Sequence, residues 1–98
     1  MQNEEQHVFE AFAASHPVGT KLRARVTTVR AFGAFCQLAE GVDGLLLVPD
    51  FEGGPRRMNF PDDYPRIGEQ IDVWIESIIR GADGQQVKLT QHPPGGGA

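Results

Sequence analysis

The sequence has 98 residues, of which 40% are apolar and 22% charged, the length and composition of one ordinary globular domain. Its formal net charge of -4, from nine basic and thirteen acidic side chains, argues against a simple basic nucleic-acid binder. The single cysteine, Cys36, excludes an internal disulfide and a cysteine-based zinc site. No apolar run is long enough to span a membrane, and the polar N-terminus is unlike a signal peptide, so we expect a cytoplasmic protein.

Residues 1–17 are predicted to form a short α-helix and a linker. Apolar side chains recur at helical spacing in this segment: Val8, Phe9, Phe12 and Ala13. Asn3 is placed to cap the start of a helix over 3–15, and Pro17 and Gly19 are placed to end it. The pattern favours a helix packed on the rest of the domain, and a linker or partner-binding helix is the alternative.

From Thr20 the period changes to strict alternation, which predicts β-strands. Five short stretches are predicted as strands: 20–26, 34–38, 44–48, 71–76 and 87–90. Four of them show the alternation, whereas 44–48 is short and mostly apolar. A proline-rich connection over 49–68, with one helical turn at 61–64, separates the third strand from the fourth, and Gly81 and Gly84 flank a hairpin turn. The sequence therefore predicts a mostly β protein, a five-stranded antiparallel Greek-key barrel of the OB-fold type. The tail 92–98 is expected to be disordered.

Three segments carry a resemblance to a known family. They are FGAF at 32–35 followed by GVDGLL at 41–46, then GEQIDVWI at 68–75, and finally VKLT at 87–90. Together they resemble the S1 domain, the RNA-binding repeat of a large ribosomal protein, over residues 18–91. The resemblance implies a domain that binds single-stranded RNA, here expected as a free-standing module.

The resemblance implies that Phe32 and Phe35 form a platform on which bases stack. Alternatively, both rings belong to the barrel core. Strand parity argues for the platform, because Phe35 and Gln37 share a face opposite the small or apolar Ala34 and Cys36. An outward phenylalanine on a strand requires a functional reason.

A basic surface is expected beside this platform. Five residues are predicted to contact RNA with the aromatic pair: Arg30, Arg56, Arg57, Arg80 and Lys88. Arg23 is expected to gather near the same platform, whereas Glu10 is expected on a separate acidic helix and Asp43 at a distant turn. Solvated arginines without a role are the alternative for Arg56 and Arg57. The net charge then becomes an average over separate faces, compatible with modest RNA affinity.

The chain departs from the family pattern at three contact positions, where it has Leu47, Arg80 and Gln86. These departures leave the affinity and sequence preference of RNA binding open. Trp74 lies on the polar side of its strand, so it is expected to be covered by Phe9 or Phe12 or, alternatively, to contact a protein partner.

No arrangement of side chains in the sequence indicates catalysis, a cofactor or a metal. Asp62 and Asp63 form a carboxylate pair with no base nearby in the sequence, and Cys36 is expected to be a core residue. We expect a monomeric, non-enzymatic protein that binds single-stranded RNA weakly and with little sequence preference, on mRNA or with the ribosome or RNA-processing proteins as partners. The alternative is a protein-interaction or regulatory module with reduced RNA binding.

Overall fold

The predicted stretches form five strands, and the N-terminal segment forms one helix. The fold was analysed in a computed structural model that describes residues 4–54, 57–81 and 84–94. In chain order the elements are α1 (Glu4–Ser15), β1 (Lys21–Arg30), β2 (Gly33–Ala39), β3 (Val42–Leu47), a single 3-10 turn (Val48–Asp50), β4 (Gln70–Gly81) and β5 (Gly84–Thr90). The fourth strand extends five residues beyond the predicted end at Glu76, because its second half pairs with β5.

The strands close into a barrel in the order β1-β2-β3-β5-β4, with β4 pairing back onto β1. The predicted all-antiparallel pairing is wrong at one seam, since β3 and β5 run parallel. A closed ring with an odd number of strands cannot alternate direction throughout, so at least one neighbouring pair must be parallel. The architecture is mostly β and consistent with an OB-fold.

The interior of the barrel is filled by the inward members of the alternating pattern. On β4, for example, Val73 and Ile75 are buried whereas Asp72 and Glu76 are exposed. The core cluster also includes Ala24, Val26, Ala34, Cys36, Val42, Leu46, Val87 and Leu89. Because each inward residue fixes the direction of its neighbours, the same core determines which side chains face solvent.

Helix α1 packs against the barrel, as its apolar stripe predicts. Phe9 and Phe12 are buried in the core cluster, while Val8 remains 41% exposed. The helix ends as predicted, before Pro17, and Gly19 adopts a positive φ of 95° as the chain turns into β1. The predicted cap residue of the helix lies outside the described residues.

The connection between β3 and β4 is anchored to the barrel by its aromatic residues. Phe51 and Tyr64 are buried, and their rings meet edge to face with centroids 5.0 Å apart. The predicted helical turn is a hydrogen-bonded turn in which the Tyr64 amide donates to the carbonyl of Pro61 at 3.0 Å. The many prolines of this connection predict an extended loop, so the sequence alone does not indicate that Phe51 and Tyr64 are buried.

The last hairpin and the start of the tail are also defined. Gly81 pairs with Gly84, as the predicted turn requires, and the two residues between them lie outside the described part. His92, predicted as the first residue of a disordered tail, is instead hydrogen bonded through its backbone to the Thr90 hydroxyl and through its ring to the carbonyl of Pro49. Residues 95–98 of the tail lie outside the described residues.

Candidate functional site

Phe32 and Phe35 form an aromatic pair on the outside of the barrel. Phe32 lies in the turn between β1 and β2 and is 53% exposed, and Phe35 lies on β2 and is half-buried. Their ring centroids are 6.1 Å apart and the rings are nearly perpendicular, at 89°. Ala34 and Cys36 on either side of Phe35 are fully buried, which confirms the outward direction predicted for this phenylalanine.

The turn that carries Phe32 is held from three directions. The Val48 amide donates a hydrogen bond to the carbonyl of Phe32 at 3.1 Å, and the Tyr64 hydroxyl donates to the carbonyl of Ala31. At Gly33 a Cβ atom would collide with the carbonyl oxygen of Leu46, so only glycine allows β2 and β3 to approach here. With its backbone fixed in this way, the Phe32 ring is presented to solvent before any ligand arrives.

The aromatic pair belongs to a continuous outer surface across three strands. Phe35 pairs with Leu45 on β3, which pairs in turn with Lys88 on β5, so the three side chains form one row. Directly paired residues lie on the same side of a sheet. We call this surface the aromatic face; it comprises Phe32, Phe35, Leu45, Gln86 and Lys88.

An open groove of about 460 Å³ runs along the aromatic face toward the last hairpin. Its side-chain lining consists of Phe35, Asp43, Leu45, Ile79, Gln85 and Gln86. The volume lies in the range of pockets that hold small molecules, and the lining combines apolar surface with a few polar groups. The groove has the dimensions and chemistry to receive a flat, partly polar ring stacked beside Phe35.

Arg30 lies at the edge of the aromatic face. It ends β1 and pairs with Gly33, and its guanidinium donates to the neighbouring carbonyl of Val29 at 3.2 Å. No carboxylate within the described ranges forms an ion pair with it. Arg25 lies farther along the same strand, where its guanidinium donates to the side chain of Gln37 at 2.9 Å.

Arg80 is held away from the groove by helix α1. Its guanidinium makes two hydrogen bonds to the carboxylate of Glu10, at 3.0 and 2.9 Å, and lies 5.7 Å from the centroid of the Phe9 ring. The hydrogen bonds from Arg80 lower the pKa of Glu10 and raise that of Arg80, so both groups stay charged. The expected separation of acidic from basic faces is therefore wrong at this contact.

The other predicted basic residues are placed differently. Lys88 belongs to the aromatic face, and its ammonium lies 3.9 Å from a carboxylate oxygen of Glu76, the geometry of a loose ion pair. Arg57 is exposed in the long connection, and Arg56 lies outside the described residues. Of the five predicted contacts, Arg30 and Lys88 are thus adjacent to the aromatic pair.

Two of the three departures from the family pattern are found at the same surface. Gln86 lines the groove, and Leu47 pairs with Gly33 beside the Phe32 turn, where it is half-buried. The resemblance implies a stacking, hydrogen-bonding imidazole at position 47 and a basic side chain at position 86, so both departures remove contacts from the aromatic face.

Sequence reasoning missed the residues that complete the groove. Asp43 was assigned to a distant turn, yet it lines the groove beside Phe35, and Ile79 forms the opposite wall. Strand register is the signal that could have found them. Gln37 pairs with Asp43 and Ile79 pairs with Gln86, so Asp43 and Ile79 both lie on the outer side of the barrel. Strand parity alone could not show how closely they approach the aromatic pair.

A second aromatic surface lies around Trp74, at the start of β1 and β4. The Trp74 ring is half-buried, and the Lys21 ammonium lies over it, 5.3 Å from the centroid. Beside it the guanidinium of Arg23 forms an ion pair with Asp72 at 3.1 Å. We call this surface the Trp face; it comprises Lys21, Arg23, Asp72 and Trp74.

The helix aromatics expected to cover Trp74 are engaged elsewhere. Phe9 faces Arg80, and Phe12 stacks on His16 with ring centroids 4.2 Å apart. Open grooves of about 560 and 310 Å³ border Trp74 on its two sides. The partly exposed indole therefore remains a candidate protein contact.

Cys36 is a core residue, as expected. Its side chain is fully buried, and burial, with a smaller effect of the Asp43 carboxylate, raises the pKa of the thiol to about 11. The protonated thiol is a poor nucleophile. Within the described ranges no three His, Cys, Asp or Glu side chains are grouped to hold a metal ion. No described helix has the length and apolar character needed to cross a membrane.

Comparison with known proteins gives consistent matches. A family model described as S1 RNA binding domain matches residues 15–87. The small ribosomal subunit protein bS1 of Pseudomonas aeruginosa is 32% identical over 68 residues, covering 69% of this chain and 12% of that protein. The polyribonucleotide nucleotidyltransferase of Shouchella clausii is 28% identical over 78 residues, covering 80% of this chain and 11% of the enzyme. The chain thus spans about one eighth of the length of these relatives.

A solved structure shows the same fold. The solution structure of GSP13 from Bacillus subtilis superposes with a TM-score of 0.57 at 24% identity, covering 74% of this chain and 53% of that one. At this identity the match supports the architecture alone.

Proposed function

Since the chain belongs to the S1 RNA binding domain family, we propose that it binds single-stranded RNA through the aromatic face. The observation that carries the proposal is the pair Phe32, exposed, and Phe35, half-buried, whose rings are mutually perpendicular on the outside of the barrel, with Phe35 lining an open groove. Nucleic-acid bases are held in such places by stacking on aromatic rings, and each stacked base contributes about 1–3 kcal/mol.

The charges around the aromatic face favour modest affinity and little overall sequence preference. Arg30, Arg25 and Lys88 are the cations nearest to it, and they are positioned to contact phosphates on either side of the stacked bases. Arg80, which would add a fourth, is bound to Glu10. Because phosphate contacts release counterions, binding should weaken as salt rises, with a slope that reflects these few contacts.

The relatives indicate where such binding would be used. They include a ribosomal protein and a polyribonucleotide nucleotidyltransferase, both much longer than this chain. We propose a monomeric RNA-binding module, not an enzyme, that acts in the cytoplasm on mRNA or together with the ribosome or RNA-processing proteins. The buried, protonated Cys36 favours binding over catalysis.

The decisive test is fluorescence anisotropy with a labelled single-stranded RNA of about ten nucleotides, titrated at low and moderate salt. The wild-type protein should show saturable binding that weakens with salt. The double variant Phe32→Ala, Phe35→Ala should bind at least about thirtyfold more weakly, because two stacking contacts are lost. Absence of saturable wild-type binding, or unchanged binding by the double variant, would contradict the proposal.

A second candidate function is favoured by the Trp face. Trp74 is bordered by two open grooves, and exposed tryptophans are enriched among residues that dominate protein–protein contacts. In this alternative the chain is a protein-interaction or regulatory module. A partner captured by the wild-type protein and lost with Trp74→Ala, while RNA affinity stays unchanged, would support it.

A further inference from the structure

Asp43 is an exposed carboxylate in the wall of the groove beside Phe35. It pairs with Gln37 across β2 and β3, diagonally next to the Phe35–Leu45 pair. Its side chain forms no hydrogen bond or ion pair within the part of the chain that the structure describes. Its oxygens are therefore available to a ligand.

A negative charge at this place repels RNA phosphates, so it favours binding only if its oxygens accept hydrogen bonds from a base. An ionised carboxylate is an acceptor with two oxygens and no donor. It matches a base edge that presents two donors side by side and conflicts with an edge that presents a lone pair. The charge thus selects among bases rather than attracting all of them.

Guanine alone among the four RNA bases has two adjacent donors on its Watson–Crick edge, N1–H and N2–H. Adenine and cytosine each present one donor next to an acceptor nitrogen, and uracil presents one donor between two carbonyl oxygens. Single-stranded bases are read on this edge because it is unpaired. Two parallel hydrogen bonds to a carboxylate therefore distinguish guanine from the other three.

The remaining lining of the groove is compatible with this arrangement. Phe35 supplies a face for stacking, and Leu45 and Ile79 supply apolar surface. Gln85 and Gln86 carry amides that both donate and accept, so they can bond the guanine O6 without opposing any other base. Among the groove side chains, Asp43 is therefore the one whose chemistry discriminates.

We propose that the groove binds a guanine base, stacked against Phe35, whose N1–H and N2–H groups donate to the carboxylate of Asp43. This proposal rests on RNA binding at the aromatic face and adds a preference at one nucleotide position. A single position of this kind is consistent with little sequence preference over the rest of a bound strand.

The test compares ten-nucleotide single-stranded RNAs that are uridine throughout except for one central guanosine, inosine or adenosine. By anisotropy the wild-type protein should bind the guanosine strand about fivefold to tenfold more tightly than the adenosine strand. Inosine lacks the N2 amino group, so its strand should bind with intermediate affinity.

Asp43→Asn should reduce the preference for guanosine to less than about twofold, because an amide replaces one acceptor by a donor. It should strengthen binding of an all-uridine strand, since a negative charge that repels phosphates is removed from the groove. Asp62→Asn is the matched control: it removes the same charge in the long connection, outside this groove, and should keep the full guanosine preference.

The outcomes separate the two proposals. If the wild-type protein binds all strands with equal affinity, or if Asp43→Asn keeps the preference, the guanine site is overturned and RNA binding stands. If no strand binds in a saturable way, the proposed function fails and the guanine site with it. Unchanged fluorescence of Trp74 in each variant establishes that the barrel is intact.

Discussion

The aromatic face and the Trp face carry similar side chains, aromatic rings with arginine and lysine nearby, but their charges are paired differently. On the Trp face, Arg23 is bound to Asp72 and the Lys21 ammonium lies over the Trp74 ring. On the aromatic face, Arg30 has no carboxylate partner among the described residues and the rings contact each other. Both cations of the Trp face are thus engaged, whereas on the aromatic face Lys88 is only loosely paired with Glu76 and Arg30 remains available.

This difference shows that residue types do not by themselves define a nucleic-acid surface. A guanidinium in an ion pair presents a smaller net field to an approaching phosphate than an unpaired one. The two surfaces lie on the same barrel and share β1, whose outer side chains run from Lys21 to Arg30. Pairing within the fold therefore decides which end of this strand is suited to RNA.

The sharpest test of the comparison is charge reversal at each end of β1. Arg30→Glu should weaken RNA binding about tenfold and lower the salt dependence, because one unpaired phosphate contact is lost and a repulsive charge is added. Arg23→Glu should weaken it less than threefold. Anisotropy titrations at several salt concentrations measure both; equal losses would mean that the Trp face also contacts RNA.

A smaller loss of RNA affinity is expected when the hydrogen bond that supports the Phe32 turn is removed. Tyr64→Phe deletes the hydroxyl that donates to the carbonyl of Ala31 next to Phe32. The free energy of unfolding in urea should fall by about 1 kcal/mol, and RNA affinity by about threefold, since the turn becomes less fixed. Ser15→Ala, which removes an exposed helix hydroxyl, is the control and should change neither. A Tyr64→Phe protein with wild-type RNA affinity would show that the turn needs no such support.

Breaking the Glu10–Arg80 ion pair should add one free cation to the protein and so increase the difference in available charge between the aromatic face and the Trp face. Glu10→Gln removes the charge that holds the Arg80 guanidinium, so RNA affinity at low salt should rise about twofold. Glu52→Gln, the same change beside the Trp face, is the control and should leave affinity unchanged. A fall in affinity with Glu10→Gln would show that the pair, rather than the free arginine, supports binding.

The same contact has a defined pH dependence. Arg80 lowers the pKa of Glu10 in the folded protein, so the stabilising contribution is present above the ordinary glutamate pKa and is lost as pH falls through the lowered one. On acidification below about pH 4, wild-type stability should therefore fall toward that of Glu10→Gln. Thermal unfolding of both proteins across this range measures it, and a constant difference would contradict the assignment.

The smallest effect is expected from unpairing the Trp face. Asp72→Asn frees Arg23, but the pair is exposed, with 61% and 51% of the two side chains accessible. The change in unfolding free energy should stay within about 0.5 kcal/mol, and the change in RNA affinity below twofold. A rise in affinity beyond threefold would show that the ion pair, and not position on the barrel, keeps this surface from binding RNA.

Much of the fold followed from local pattern. Period-two alternation located four of the strands, a short apolar run located β3, and parity placed Phe35 outside and Cys36 inside. The parallel seam between β3 and β5 was missed although ring closure with five strands requires it. For the long connection the sequence predicts only an extended segment with one turn, because the prolines and glycines draw attention away from the two aromatic residues that anchor it, Phe51 and Tyr64.

The candidate site also has one part that the sequence predicts and one part that only the structure shows. The family resemblance implies the aromatic pair, and strand parity predicts the outward direction of Phe35, which the structure confirms. The RNA contacts of Arg30 and Lys88 stay a prediction. Asp43 and Ile79 were not identified from the sequence, because the groove arises only where β3, β4 and β5 meet.

The sequence by itself determined which side chains face inward, since alternation and core volume leave one consistent arrangement of each strand. Only the tertiary structure decided which charges meet: Glu10 and Arg80 are 70 positions apart, and no local pattern relates them. Their contact, like the approach of Asp43 to Phe35, depends on how the strands and the helix pack in space. Burial is encoded residue by residue, whereas the pairing of surface charges is a property of the assembled barrel.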